Sequence, residues 1–155
     1  MSFRIHALPA VPFAPLFALS DAELAARGML RRRADAVPGY PCRVSLVDAA
    51  VGETVLLLNY EHQPAPTPYR ASHAIYVREG AQQAQPAPGE VPPALARRLL
   101  SVRAFDAHHM MVAADVCEGR ALAATVEALF AEPATAYLHL HHARQGCYAA
   151  RVERD

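Results

Sequence analysis

Over residues 3–8 apolar and polar positions alternate, with Phe3, Ile5 and Ala7 on one side and Arg4 and His6 on the other. That period of two predicts a half-buried strand. Pro9, Pro12 and Pro15 then impose an extended crossing. At Ser20 the period changes: Ser20 and Glu23 stand as a capping box and Leu19 and Leu24 as its staple, predicting a helix to about Arg31. Arg31, Arg32 and Arg33 would close it, where cations suit the negative end of the helix dipole. Residues 43–46 read as a short strand, and the unbroken apolar run 54–60 as a central strand covered on both faces. After the prolines at 64, 66 and 68, alternation resumes at Ser72: His73, Ile75 and Val77 face the core, and Ala74, Tyr76 and Arg78 face water or a partner.

Residues 81–92, rich in Gln, Ala, Pro and Gly, read as a surface loop. Pro92 and Pro93 then begin a short helix carrying Leu95 and Leu99 on one face. Residues 100–105 and 109–116 form a hairpin around Asp106-Ala107-His108, with Met110, Val112, Ala114 and Val116 aligned, and His108-His109 in a polar turn. Leu122, Val126, Leu129 and Phe130 recur at helical spacing over residues 120–131, which Pro133 ends. The last segment places Leu138 and Leu140 on one face and Tyr137, His139 and His141 on the other. A three-residue loop, Arg144-Gln145-Gly146, with Gly146 left-handed, keeps Tyr148, Ala150 and Val152 level with the leucines. His139 then lies opposite Arg151 and Tyr137 opposite Glu153. The whole is an α+β chain: one domain over residues 1–155, a mainly antiparallel sheet of about six or seven strands, two main helices and one short helix.

Composition narrows the function classes. Fifteen basic and fifteen acidic residues cancel, so no long-range field draws the chain to nucleic acid or an anionic membrane. Zero net charge weakens colloidal repulsion, and a homodimer is the expected assembly if one forms. Every basic residue is Arg, which fits a GC-rich bacterial coding bias. The three cysteines, Cys42, Cys117 and Cys147, include no CxxC pair, and a reducing cytoplasm is the expected setting. The prolines of the first twenty residues interrupt any signal-peptide core or membrane span, and the mature chain is expected to begin here.

Several stretches together resemble one family. They are PCRVSL at 41–46, LLLNYEHQ, TPYRASHAIYVREGA at 67–81, RAFDAHHMMVAADV at 103–116 and the terminal GCYAARVER. They look like the bacterial domain-of-unknown-function family 1203, whose members are similar in size. The resemblance implies a shared fold and brings no established activity, so no catalytic residue or cofactor follows from it. Ser72-His73-Ala74 departs from that family's pattern, and the resemblance therefore carries no role for His73.

Candidate chemistry comes from the residues alone. Arg43, Tyr69, Arg70, Ser72 and His73, with Tyr60 and Arg78 near them, form a candidate set for a small carboxylate or phosphate, which Arg binds bidentately. The alternative for these arginines is pairing with Asp48 or Glu53. His139 and His141, two apart on a strand, present both imidazoles to one side, a metal-site geometry that lacks a third ligand; Glu153, His73, His109 and Cys147 are the candidates. A metal-dependent hydrolase is the enzyme reading, and a solvated or interface face the plain one. Cys42 and Cys147 are the candidate thiols, each weighed against a buried packing role. No GxGxxG, Walker loop, HExxH or GxSxG supports an enzyme class, and no cofactor is indicated. A third class is an interaction protein whose terminal hairpin pairs with a second copy.

Overall fold

In the computed structural model, residues 2–155 are described. Eight strands divide between two antiparallel sheets: β1 (Phe3–His6), β2 (Leu30–Arg33), β3 (Thr54–Gln63), β4 (Ala71–Arg78), β5 (Leu99–Phe105), β6 (Met111–Glu118), β7 (Tyr137–His142) and β8 (Tyr148–Arg154). One sheet has the order β1-β8-β7-β5-β6 and the other β2-β3-β4. The single sheet of six or seven strands is thus corrected to a five-stranded and a three-stranded sheet. The helices are α1 (Asp21–Ala26), α2 (Pro93–Ala96) and α3 (Leu122–Phe130). Among the described residues, no helix is long and apolar enough to cross a membrane.

The five-stranded sheet is two-faced. Leu100, Val102, Leu138, Leu140 and Val152 pack with Leu122, Val126 and Phe130 of α3 in one buried cluster. The three-stranded sheet lies toward the opposite face, where Leu56, Leu58, Ile75 and Val77 share a second cluster with Tyr148 of β8. This α3, sheet, sheet layering places the polar face of the larger sheet in the interior.

Local differences from the sequence reading have physical causes. The capping box at Ser20 forms as expected, with Ser20 Oγ accepting from Glu23 N at 3.1 Å and Glu23 Oε2 from Ser20 N at 2.9 Å. The helix ends at Ala26, however, because Gly28 adopts φ 71° and reverses the chain. Arg31, Arg32 and Arg33 then lie on β2, paired with Leu56, Val55 and Thr54. Residues 43–46 are turn and not strand; they are pinned by isolated bridges, Pro41 to Asp48 and Cys42 to Tyr76. β3 is central in its sheet, yet Asn59 on it is exposed and Leu57 half-buried, so only one face is fully covered. Met110, Val112 and Val116 are exposed, because β6 is an edge strand lying beyond the cover of the smaller sheet.

The terminal hairpin keeps His139 opposite Arg151, and Gly146 is left-handed at φ 80°. A register shift after Leu140 then pairs His141 with Tyr148 and Leu140 with Ala150. This bulge moves Tyr148 off the leucine face and onto the histidine face.

Candidate functional site

Two places gather reactive side chains, and they lie on opposite sides of β4. The first is the face of the larger sheet that carries His139 and His141. A solvated face does not form there: His139 is 2% exposed and His141 0%, because β3 and β4 cover them. β3 contributes His62 at the register irregularity between Tyr60 and Gln63, and β4 contributes His73. One ring nitrogen from each of His62, His73 and His141 lies within 4.8 Å of the others. Their ring centres are 5.6 Å apart for His62 and His73, 4.8 Å for His62 and His141, and 5.9 Å for His73 and His141. A tetrahedral zinc bound about 2.0–2.1 Å from each imidazole nitrogen sets ring centres about 5.2 Å apart and nitrogens about 3.4 Å apart. The ring centres bracket that spacing, but His62 and His73 are stacked with planes 15° apart, so the half-buried His73 must turn before its lone pair and that of His62 point at one ion.

The protonation of His62 and His141 suits ligation. His141 Nδ1 stands 2.9 Å from Gly146 O, a bond that makes Nδ1 the donor and leaves Nε2 a lone pair. That Nε2 is buried without a hydrogen-bond partner among the described residues, as are both ring nitrogens of His62 and the Nδ1 of His139. Buried polar atoms are rarely orphaned, and each costs about 1–3 kcal/mol. Burial lowers the pKa of His62 to about 4, helped by His73 and Arg103. Burial likewise lowers His139 and His141 to about 3, so all three are neutral at pH 7. The side-chain charges that act most on these rings are those of Arg103 and Arg151. Arg103, opposite His139 on β5, has as its side-chain partner only Ser101 Oγ, at 3.3 Å.

The second place is a cavity of about 360 Å³ lined by Arg43, Tyr76, Arg98, His142, Gln145 and Cys147, among others. Arg43 is 2% exposed and pairs with neither Asp48 nor Glu53. It donates from Nε to Tyr148 O at 2.7 Å, from one terminal nitrogen to Pro41 O at 2.5 Å, and from the other to Cys147 Sγ at 3.1 Å.

The sequence candidates therefore separate. Arg43 and Cys147 meet at the cavity, while His73 joins the imidazole group on the far side of β4. Tyr69 packs against Phe105, exposed Arg70 pairs with Glu61 at 3.1 Å, and Ser72 is exposed. Cys42 is 1% exposed, and its sulfur accepts from Arg78 N at 3.3 Å. His139 borders the three-nitrogen group, with its ring centre 5.7 Å from that of His62. Of the suggested third ligands, only His73 converges; His109 instead bonds Tyr137 Oη at 2.8 Å. His62 was not among the candidates, and the available signal was alternation continued two residues past Tyr60 on the same strand.

The family described as "Protein of unknown function (DUF1203)" matches residues 39–154. No curated protein matches the chain, and no solved structure does.

Proposed function

Since this chain belongs to the DUF1203 family, whose description names no activity, we propose from the residues themselves a transition-metal-binding protein with His62, His73 and His141 as ligands. One observation carries the reading: three imidazoles from three strands converge, and two of them, His62 and His141, hold buried nitrogens that no group among the described residues satisfies. Imidazole donors suit zinc, copper, nickel and cobalt, and the absence of thiolates from the set argues against clusters and copper(I). Arg103 opposes the cation and favours an anionic fourth ligand, which lets the expected small carboxylate or phosphate enter as that ligand. The side-chain charges that act most on these rings are guanidiniums, which cannot take a proton from a metal-bound water, so the reading proposed is metal binding.

The test uses protein purified without a histidine tag. Zinc titration followed calorimetrically should show one equivalent bound, and His62→Ala and His73→Ala should each weaken it by at least about 100-fold. His6→Ala, at a half-buried histidine that pairs with Glu153 away from the group, serves as the control. Binding that all three variants weaken equally, or less than roughly a tenth of an equivalent bound, would overturn the assignment. A homodimer is a separate reading, favoured by one observation: edge strand β6 carries exposed Val112 and Val116. Sedimentation showing only monomer at high micromolar concentration removes it.

A further inference from the structure

The cavity beside Arg43 has no part in the imidazole centre. Its electrostatics are unusual for an interior. Arg43 is almost fully buried, yet its partners are two backbone carbonyls and a thiol, with no carboxylate. Buried cations are ordinarily paired with an opposite charge. The nearby Asp48, whose side chain is 2% exposed, is already taken: Arg98 grips it bidentately at 2.9 and 2.5 Å, and Arg97 approaches it at 3.6 Å. Around His142, the groups that act are two guanidiniums, Arg43 and Arg98, and one carboxylate, Asp48. With Arg97 also drawn to Asp48, three guanidiniums face that one carboxylate, and the local balance is positive.

His142 supplies the second observation. It forms part of the cavity wall, is 3% exposed, and its Nδ1 has no hydrogen-bond partner in the protein. A buried cation without its own anion and an orphaned ring nitrogen border the same space. The remaining walls decide the shape of the occupant. Pro38, Pro41, Ala74 and Tyr76 are apolar, and a hydrated inorganic ion would leave them wet. We infer that this cavity binds a small organic carboxylate, with its charge toward Arg43 and Arg98 and its hydrocarbon body against the prolines and Tyr76. The carboxylate supplies the counter-charge that Arg43 lacks, and a cavity of about 360 Å³ falls in the range of small-molecule sites. Gln145 in the wall adds a side-chain amide donor.

Cys147 makes the site measurable, because its thiol shares the cavity wall and is only half-buried. In a Cys117→Ser variant, with Cys42 buried, iodoacetamide reports on Cys147 alone. Acetate, propionate and succinate are compared with phosphate and with chloride at matched ionic strength. At least one carboxylate should slow alkylation about tenfold or more at saturation, as a ligand covering most of its surface in a pocket does. His142→Leu and Arg98→Gln, introduced separately, should each reduce that protection. Zinc binding should stay unchanged in both, which separates this site from the imidazole centre. Circular dichroism of each variant establishes that it has folded, and either folded variant suffices. Protection by chloride equal to that by the carboxylates overturns the inference, as does protection by phosphate alone. Carboxylate protection that neither folded variant reduces overturns it too.

Discussion

Acidification should unfold this protein well above the pH at which its carboxylates titrate. His139, His141 and His142 are 2%, 0% and 3% exposed, and burial lowers the pKa of each to about 3. The unfolded chain has the ordinary value of 6.5, so it binds more protons than the fold, and stability falls as pH drops below 6.5. The loss continues until pH reaches the folded values near 3. At pH 5 the magnitude depends mainly on the unfolded value: about 1.5 units at 1.36 kcal/mol per unit gives about 2 kcal/mol for each imidazole. With His62, which burial lowers to about 4, four rings remove about 8 kcal/mol, comparable with the whole stability of an ordinary domain, about 5–15 kcal/mol. Asp48 contributes in a different window. Its pKa is lowered by Arg98 against the penalty of burial, so its share is lost only below about pH 4. Urea unfolding of the metal-free protein, followed by circular dichroism at about pH 7 and pH 5, measures the difference. His139→Gln should reduce it by about a quarter. A loss below about 2 kcal/mol between the two pH values would show that these rings are not held neutral by burial, and the argument for their metal competence would fall with it.

Two further substitutions test the frame around the sites. Gly119→Ala would set a Cβ 2.0 Å from Leu95 O and 2.7 Å from Ala96 C, both backbone atoms of α2, so we expect a loss above about 3 kcal/mol in urea unfolding. Asp48→Ala strands Arg98 and Arg97 beside the cavity and should cost about 3–5 kcal/mol by the same measurement; a loss under about 1 kcal/mol would mean that the pair is solvated.

The elements legible in the sequence were those whose cause is local. Ser20 and Glu23 cap α1 within four residues, and Leu122, Val126 and Phe130 bury one stripe of α3. Where the cause is distant, the reading failed. Arg31–Arg33 looked like a cationic helix end because their partners, Leu56, Val55 and Thr54, lie more than twenty residues away on β3. Gly28 was the local sign of the reversal. The i, i+2 pair His139 and His141 was visible as chemistry, but its burial was not, since the cover comes from β3 and β4. His62 completes the group because β3 runs on to Gln63, with a register slip that alternation up to Tyr60 does not foretell.

The hairpin bulge shows how one residue's packing decides the site. Keeping Tyr148, Ala150 and Val152 on the leucine face would set a phenol among Leu140, Val126 and Phe130, where its hydroxyl finds nothing to bond. Small side chains face no such conflict, and Ala149 and Ala150 are both accepted into that core, each 1% exposed. The shift after Leu140 costs one unpaired residue in the ladder and turns Tyr148 the other way. There its ring stacks on His62 with centres 5.2 Å apart and planes 6° from parallel, and it stands edge-on to His141 at 6.0 Å. Tyr148 thereby shields two of the three proposed ligands from water, which is what lowers their pKa values and leaves their nitrogens free to bind a cation. Its backbone carbonyl, meanwhile, accepts from Arg43 Nε, so the same residue helps hold Arg43 in the cavity wall on the far side. A single bulge thus holds both candidate sites in place, and the sequence cue for it is the small pair Ala149-Ala150 following a tyrosine.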